Sequence, residues 1–234
     1  MLLTLVKKRK ETDNVYSFIF KSDELIKWRA GQYLFYTFPN DNPDNRGVTR
    51  YFTISSAPFE DFIMLTTGIN LPAGRQALSS STFKKSLMGM RIGGRITASG
   101  PDGDFTVEDP NKNYVFIAGG IGITPFRSIL LDLDHKKLPI NVQLLYANSN
   151  GNIVFKEELE SLIVKNPNFK INYFISPAYI GKKTLSTFNS QLSTLNFYIS
   201  GPKPFVETYS QILKKIGIKK EKIKLDRFPG YLNF

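Results

Sequence analysis

"VFIAGGIGITPFRSIL", residues 115–130, opens as a buried strand and closes as a helix, with three glycines at the joint. An apolar run ending in Gly119, Gly120 and Gly122 permits a tight turn, because glycine lacks a Cβ and tolerates positive φ. Thr124 is a good N-cap and Pro125 a good first helical residue, so the spacing predicts a helix from 125. The free N–H groups of such a helix point back at the turn and suit an anionic phosphate. The usual dinucleotide fingerprint, G-x-G-x-x-G, is incomplete here. Gly120 and Gly122 are in register, but Pro125 holds the third glycine position. No Asp or Glu follows the next strand, "NVQLLYA" (141–147), to hold a ribose. Taken alone, the stretch fits both a phosphate-binding turn and a purely structural one.

Outward from this turn the second half alternates strand and helix. "YVFIA" (114–118), 141–147, "FKINYFI" (169–175), "NFYIS" (196–200) and "KIKL" (222–225) read as strands. "FKEELESLIV" (155–164) and "KPFVETYSQILKKIG", ending at Gly217, read as amphipathic helices. This alternation predicts a doubly wound parallel α/β domain over 112–234. The first half has a different period. Six short runs, 2–8, 15–21, 33–38, 51–55, 62–67 and 95–99, are rich in aromatic and β-branched residues and are punctuated by Gly, Pro, Asn and Asp. Only "STFKKSLMGM" interrupts with helical spacing. The expectation for 1–108 is a six-stranded antiparallel barrel of Greek-key type, joined through the polar link "VEDPNKN".

Composition removes whole classes of chemistry. The 234 residues include no cysteine, which excludes disulfides, iron–sulfur ligation and thiolate nucleophiles within this chain. His135 is the only histidine, placed at a helix end where the dipole favours it, so neither a Ser-His-Asp triad nor a two-histidine metal site is expected. Metal sites are therefore not expected, and any chemistry is expected from a bound cofactor. The net charge of +11 attracts acidic partners. No arginine-rich run or interleaved aromatic motif points to nucleic acid. No apolar run approaches the ~20 residues of a membrane span, and the apolar start is too short for a signal segment. The expectation is a cytoplasmic protein without a transmembrane segment.

Further motifs accompany "GGIGITP": "RYFTISSAP" (50–58), "SSSTFKKSL" (79–87), "SGPDGDF" (99–105), "LLYANSN" (144–150), "FYISGPKPFV" (197–206) and "LDRFPGY" (225–231). In this order and at these spacings the chain resembles the ferredoxin–NADP reductase family of flavoproteins. The resemblance implies a flavin-binding barrel followed by an NAD(P)-binding domain. The family motif Arg-x-Tyr-Ser/Thr matches Arg50, Phe52 and Thr53, with Tyr51 between. It implies that Arg50 pairs with flavin phosphate, Phe52 lies against the isoalloxazine ring and Thr53 stands near flavin N5. Ser81, Thr82, Phe83 and Lys84 match a second flavin motif at a helix start that holds a pyrophosphate. That implies FAD, with FMN the alternative; Leu78 replaces a glycine common in relatives. Thr66, Thr67 and Ile69 match backbone that lines the dinucleotide, and Phe228 the segment at the other flavin face.

On the nucleotide side, Gly119, Gly120, Gly122, Thr124 and Pro125 match the family's pyrophosphate turn. Gly201 and Pro202 match a Cys-Gly-Pro motif in which Ser200 replaces the cysteine beside the nicotinamide. The implied catalytic residues are Thr53 and Ser200. "ANSN" carries neither an acidic residue for NADH nor an arginine for NADPH, so both remain open. The resemblance implies an FAD-dependent NAD(P)H:acceptor oxidoreductase, with hydride passing to flavin N5. With no cysteine for an iron–sulfur relay, the acceptor is separate, and the basic charge suits an acidic ferredoxin or flavodoxin. Two alternatives stand beside this: a flavin subunit of a larger complex, and a non-catalytic nucleotide-binding sensor.

Overall fold

The structure, a computed structural model, describes all residues except 40–41, 70–80, 189–193 and 229–234, and except the side chains of Lys182, Ser186 and Phe228. The chain divides into two compact units, Met1–Thr106 and Val107–Phe234.

The first unit holds six strands: β1 (Leu2–Thr12), β2 (Val15–Ser22), β3 (Tyr33–Thr37), β4 (Thr49–Thr53), β5 (Ile63–Gly68) and β6 (Arg95–Asp102). They form one antiparallel sheet in the order β4-β3-β6-β1-β2-β5. The outermost strands meet just past β4, where the Ser55 amide donates to the Met64 carbonyl at 2.7 Å. The period-2 apolar pattern drives this curling, since alternate side chains must share one dry face. Leu3, Leu5, Phe18, Phe20, Leu34 and Tyr36 are fully buried there. Helix α1 (Thr82–Gly89) covers one end of that core with Phe83 and Leu87.

The second unit is a five-stranded parallel sheet in the order β11-β10-β7-β8-β9. Its strands are β7 (Asn113–Gly119), β8 (Val142–Asn148), β9 (Lys170–Ile175), β10 (Leu195–Pro202) and β11 (Ile223–Phe228). Helices α2 (Ile123–His135), α3 (Lys156–Lys165), α4 (Lys182–Ser186) and α5 (Lys203–Lys215) lie between them. The near-continuous apolar run of β7 is what a central parallel strand needs, because both faces are covered. Residues 114–119 are all buried. Phe116 stacks on Phe126 of α2, with ring centroids 4.6 Å apart and an interplanar angle of 22°. The sequence pattern does not reveal the short α4, since five residues carry too little periodicity to be recognised. No described helix is long and apolar enough to cross a membrane.

The order of the strands fixes where the second unit can bind a ligand. Chain order runs outward from β7 through β8 to β9, then returns to β10 on the other side. The carboxyl ends of β7 and β10 therefore flank a topological switch point, where open parallel sheets leave a crevice. Phe126 fixes α2 over this point. Phe126→Ala is expected to lower unfolding stability by about 3–5 kcal/mol, as for other buried aromatic truncations, read as a lower midpoint in urea melts.

Candidate functional site

Each glycine of the opening motif has its own task at the switch point. A Cβ on Gly122 would lie 2.1 Å from the Ser200 carbonyl oxygen and 2.7 Å from the Gly201 nitrogen. Gly122 is thus the point where the turn after β7 touches the main chain ending β10. A Cβ on Gly119 would meet the Phe205 ring at 2.9 Å. Gly120 differs: its φ is +52° and a Cβ there would meet nothing within 4 Å. It supplies the turn and leaves the backbone open to a ligand.

The helix starts earlier than Thr124 and Pro125 suggest. A 3-10 turn over Gly120–Gly122 runs directly into α2 at Ile123, and Gly122 is the N-cap. Thr124 is therefore not the cap; it lies inside the first turn and is buried, as is Pro125. The reason is tertiary. Close contact with Ser200 pulls Gly122 into helical backbone, and proline is tolerated in the first turn, where its missing N–H has no intrahelical partner. Among the described residues no side chain caps this start; the Ile123 amide is taken by the carbonyls of Gly120 and Ile121 and Pro125 has none, so the main chain that fits a phosphate is that of the turn at Gly120.

Ser200 is fully buried, and its Oγ donates to Asp226 Oδ2 at 2.8 Å. The two residues face each other in the β10–β11 register. Asp226 is the functional candidate that sequence reasoning missed. Burial pushes its carboxyl up to about 6, and the Ser200 hydrogen bond offsets only part of that. Gly201 packs beside Gly119, while Pro202 is exposed ahead of α5. Phe228 ends β11, and its side chain lies outside the described residues. Arg127 of α2 is spoken for: its guanidinium pairs with both carboxylate oxygens of Glu158, at 2.6 and 3.0 Å.

The first unit gathers a second group of residues around β4 and α1. Arg50 Nη1 lies within 2.9 Å of the carbonyls of Arg46, Gly47 and Thr49, and Nη2 donates to Asp44 Oδ1. Its Nε is buried and has no partner among the described residues. Ser81 caps α1, its Oγ accepting from the Lys84 amide at 3.4 Å. A guanidinium with an orphaned donor, beside a helix start, is a donor set that fits the phosphate of a flavin. Phe52 packs edge-on to Tyr36 at 6.0 Å and against Phe83 at 5.6 Å, and remains partly exposed. Thr53, next on the strand, is buried. Tyr51 points into a different aromatic group with Tyr33 and Phe35.

Other residues are occupied in the barrel. The Thr66 hydroxyl shares a 2.7 Å hydrogen bond with Ser17, and Thr67 is buried on the same strand. Ile69 belongs to the core, and its amide donates to the Asn14 carbonyl. Phe83 is also a core residue. Lys84 Nζ donates to the Gly68 carbonyl at 2.8 Å; burial, with the charge of Arg46, lowers its pKa to about 8.

Residues 116–211 match the family described as oxidoreductase NAD-binding domain. The chain is 28% identical over 202 residues to the F subunit of the Na(+)-translocating NADH-quinone reductase of Haemophilus influenzae, a match that covers 78% of this chain and 49% of that protein. It is 26% identical over 228 residues to the glycine betaine monooxygenase reductase subunit of Chromohalobacter salexigens, covering 91% and 60%. The chain thus spans half to three fifths of the length of these relatives. The fold is shared with the cytochrome b5 reductase domain of Ulva prolifera nitrate reductase, at TM-score 0.81, 22% identity and 96% coverage of each chain. It is also shared with the ferredoxin-NADP+ reductase of Plasmodium falciparum, at TM-score 0.75, 22% identity and coverage of 97% and 95%.

Residues 116–211, which fall within the parallel-sheet unit, carry an oxidoreductase NAD-binding domain. The fold of the chain is the one that ferredoxin-NADP+ reductase and cytochrome b5 reductase domains share.

Two tests follow from the geometry. Gly122→Ala forces a Cβ into main-chain atoms and is expected to destabilise the protein by roughly 3 kcal/mol. Gly120→Ala adds strain but no clash and is expected to cost only about 1 kcal/mol; chemical denaturation separates the two. Asp226 tests the Ser200 pair. Its folded pKa of about 6 exceeds the ordinary aspartate value of 3.8. The folded state therefore holds the extra proton between these values. The stability it contributes is fully present below about 4, falls as pH rises toward 6 and is flat above that. Asp226→Asn, which keeps an acceptor for Ser200, is expected to remove a slope worth roughly 1–3 kcal/mol in urea melts across pH 4 to 7.

Proposed function

We propose that this chain is an FAD-dependent NAD(P)H:acceptor oxidoreductase that works in the cytoplasm. The observation that carries the proposal is the coexistence of two phosphate seats of different make. One is the side-chain-free α2 start at the switch point of an NAD-binding domain. The other is Arg50 with the α1 start on the barrel. The tasks of individual residues are likewise proposals.

FAD, when bound, supplies a ring that takes hydride from the nicotinamide and releases electrons to an acceptor. Arg50, Ser81 and Thr82 hold its phosphates through charge and helix-end N–H groups. Phe52 offers an aromatic face to the ring, and Thr53 a hydroxyl at its edge. In the second unit, the open main chain of the turn at Gly120 and the positive end of the α2 dipole hold the pyrophosphate of the nicotinamide nucleotide. Gly201 and Pro202 shape the floor where the nicotinamide rests. Ser200 keeps its hydroxyl turned to Asp226, so it presents a polar but already satisfied side to that floor. The chain's contribution is position and electrostatics. Neither a carboxylate nor an arginine stands in "ANSN" after β8, and the proposal covers both NADH and NADPH.

The acceptor is proposed to be a separate acidic electron-transfer protein such as ferredoxin or flavodoxin, drawn by the charge of +11. A second reading has support: two relatives are subunits by name, which favours a flavin subunit that passes electrons to a partner chain.

Purified protein is expected to be yellow and to oxidise NADH or NADPH with ferricyanide. Rates with an acidic carrier are expected to fall as salt rises. A colourless protein that gains no activity from added FAD or FMN would overturn the proposal. A protein that binds nucleotide but shows no flavin reduction in stopped flow would be a sensor instead.

A further inference from the structure

Arg50 and α1 do not wait empty for a phosphate; a carboxylate of the chain itself sits between them. Asp44 lies in a tight turn in which its Oδ1 accepts from the Arg46 amide at 3.1 Å and its carbonyl accepts from the Gly47 amide at 2.9 Å. That carboxylate oxygen also accepts from Arg50 Nη2. Asp44 Oδ2 accepts from the Thr82 amide at 3.2 Å and from the Thr82 hydroxyl at 3.1 Å, and the same hydroxyl accepts from the Asp44 amide at 3.1 Å. A guanidinium, a hydroxyl and the first amide of a helix are the donors a phosphate oxygen would take. Burial alone would raise the Asp44 pKa; the Arg46 amide, Thr82 and the charges of Arg50 and Arg46 outweigh it and hold the carboxyl below its usual value. Among the described residues, the donor of Arg50 left over is the buried Nε.

We propose that Asp44 occupies the seat of the flavin phosphate, and that flavin enters by displacing it. The inference rests on the flavin-binding proposal and names the residue that sets affinity in that site. Arg50 and Thr82 are anchored on β4 and α1, whereas Asp44 sits on the loop between β3 and β4, which Arg50 also holds through the Arg46 and Gly47 carbonyls, so the loop can keep its place when the carboxylate leaves. The carboxylate is thus the removable member. An internal competitor lowers apparent affinity by the fraction of time the seat is vacated. It also spares an empty protein from leaving Arg50 uncompensated, since a buried unpaired charge is costly.

The test uses the full chain stripped of flavin, in wild-type form and as Asp44→Asn and Asp44→Ser, titrated with riboflavin, FMN and FAD by flavin fluorescence. Asparagine keeps an acceptor for Thr82 but loses the charge that binds Arg50; serine also shortens the side chain. Both variants are expected to bind FMN and FAD about tenfold more tightly than wild type, with riboflavin, which has no phosphate, unchanged. Riboflavin binding also reports that the barrel is folded. Equal or weaker binding of FMN and FAD, with riboflavin retained, would make Asp44 a brace for Arg50 and overturn the proposal. If both variants lose riboflavin as well, Asp44 holds the fold and the proposal also fails. If the wild-type chain takes up none of the three, it is the flavin reading itself that falls.

Discussion

The second unit depends on one forbidden atom. Nothing larger than hydrogen fits at Gly122, because the Ser200 carbonyl and the Gly201 nitrogen stand where a side chain would begin. That contact joins the turn after β7 to the end of β10, the two strands that flank the switch point. It draws the backbone into a helix two residues sooner than Thr124 and Pro125 would dictate. It also sets the turn at Gly120, whose main chain is open, beside the crevice. In the familiar fingerprint a third glycine allows helix and strand to pack closely. Here Gly122 takes that role, and the proline at position 125 costs nothing because the first turn needs no amide from it.

The two proposed phosphate seats are built from different materials. In the second unit the seat is made of main chain, and no described side chain caps the helix. Its field comes from peptide dipoles, which cannot be titrated or turned aside. In the first unit the seat relies on a guanidinium and a hydroxyl, which need compensation when no ligand is present. The carbonyls of Arg46, Gly47 and Thr49 and the carboxylate of Asp44 provide it. A main-chain seat can stand open, whereas a side-chain seat built around a nearly buried arginine must always be filled by something.

Much of this was legible in the sequence because it is local. Period-2 runs in the first half and strand–helix alternation in the second are properties of neighbouring residues, and both survive in the sheets. What escaped depends on register between distant segments. Ser200 meets Asp226 only because β10 and β11 pair in that alignment, 26 residues apart. Asp44 meets Thr82 across 38 residues. The one local hint of Asp226 was an acidic residue inside the otherwise apolar and basic run "KIKLDRF". The helix start was misplaced for the opposite reason: a sound local rule for Thr124 and Pro125 was overridden by a tertiary contact. Ile69 and Phe83 show a third case: their side chains lie in the barrel core, which a motif match to this stretch does not reveal.

The atoms nearest to a Cβ on Gly122 belong to the main chain of residues 200 and 201. The turn therefore depends on the main-chain path of residues 200 and 201, while the Ser200 side chain is engaged elsewhere, with Asp226. Geometry and chemistry are decoupled at this position. On the proposed function, the side chain of residue 200, and with it the group beside the nicotinamide, can change without adding a clash at Gly122.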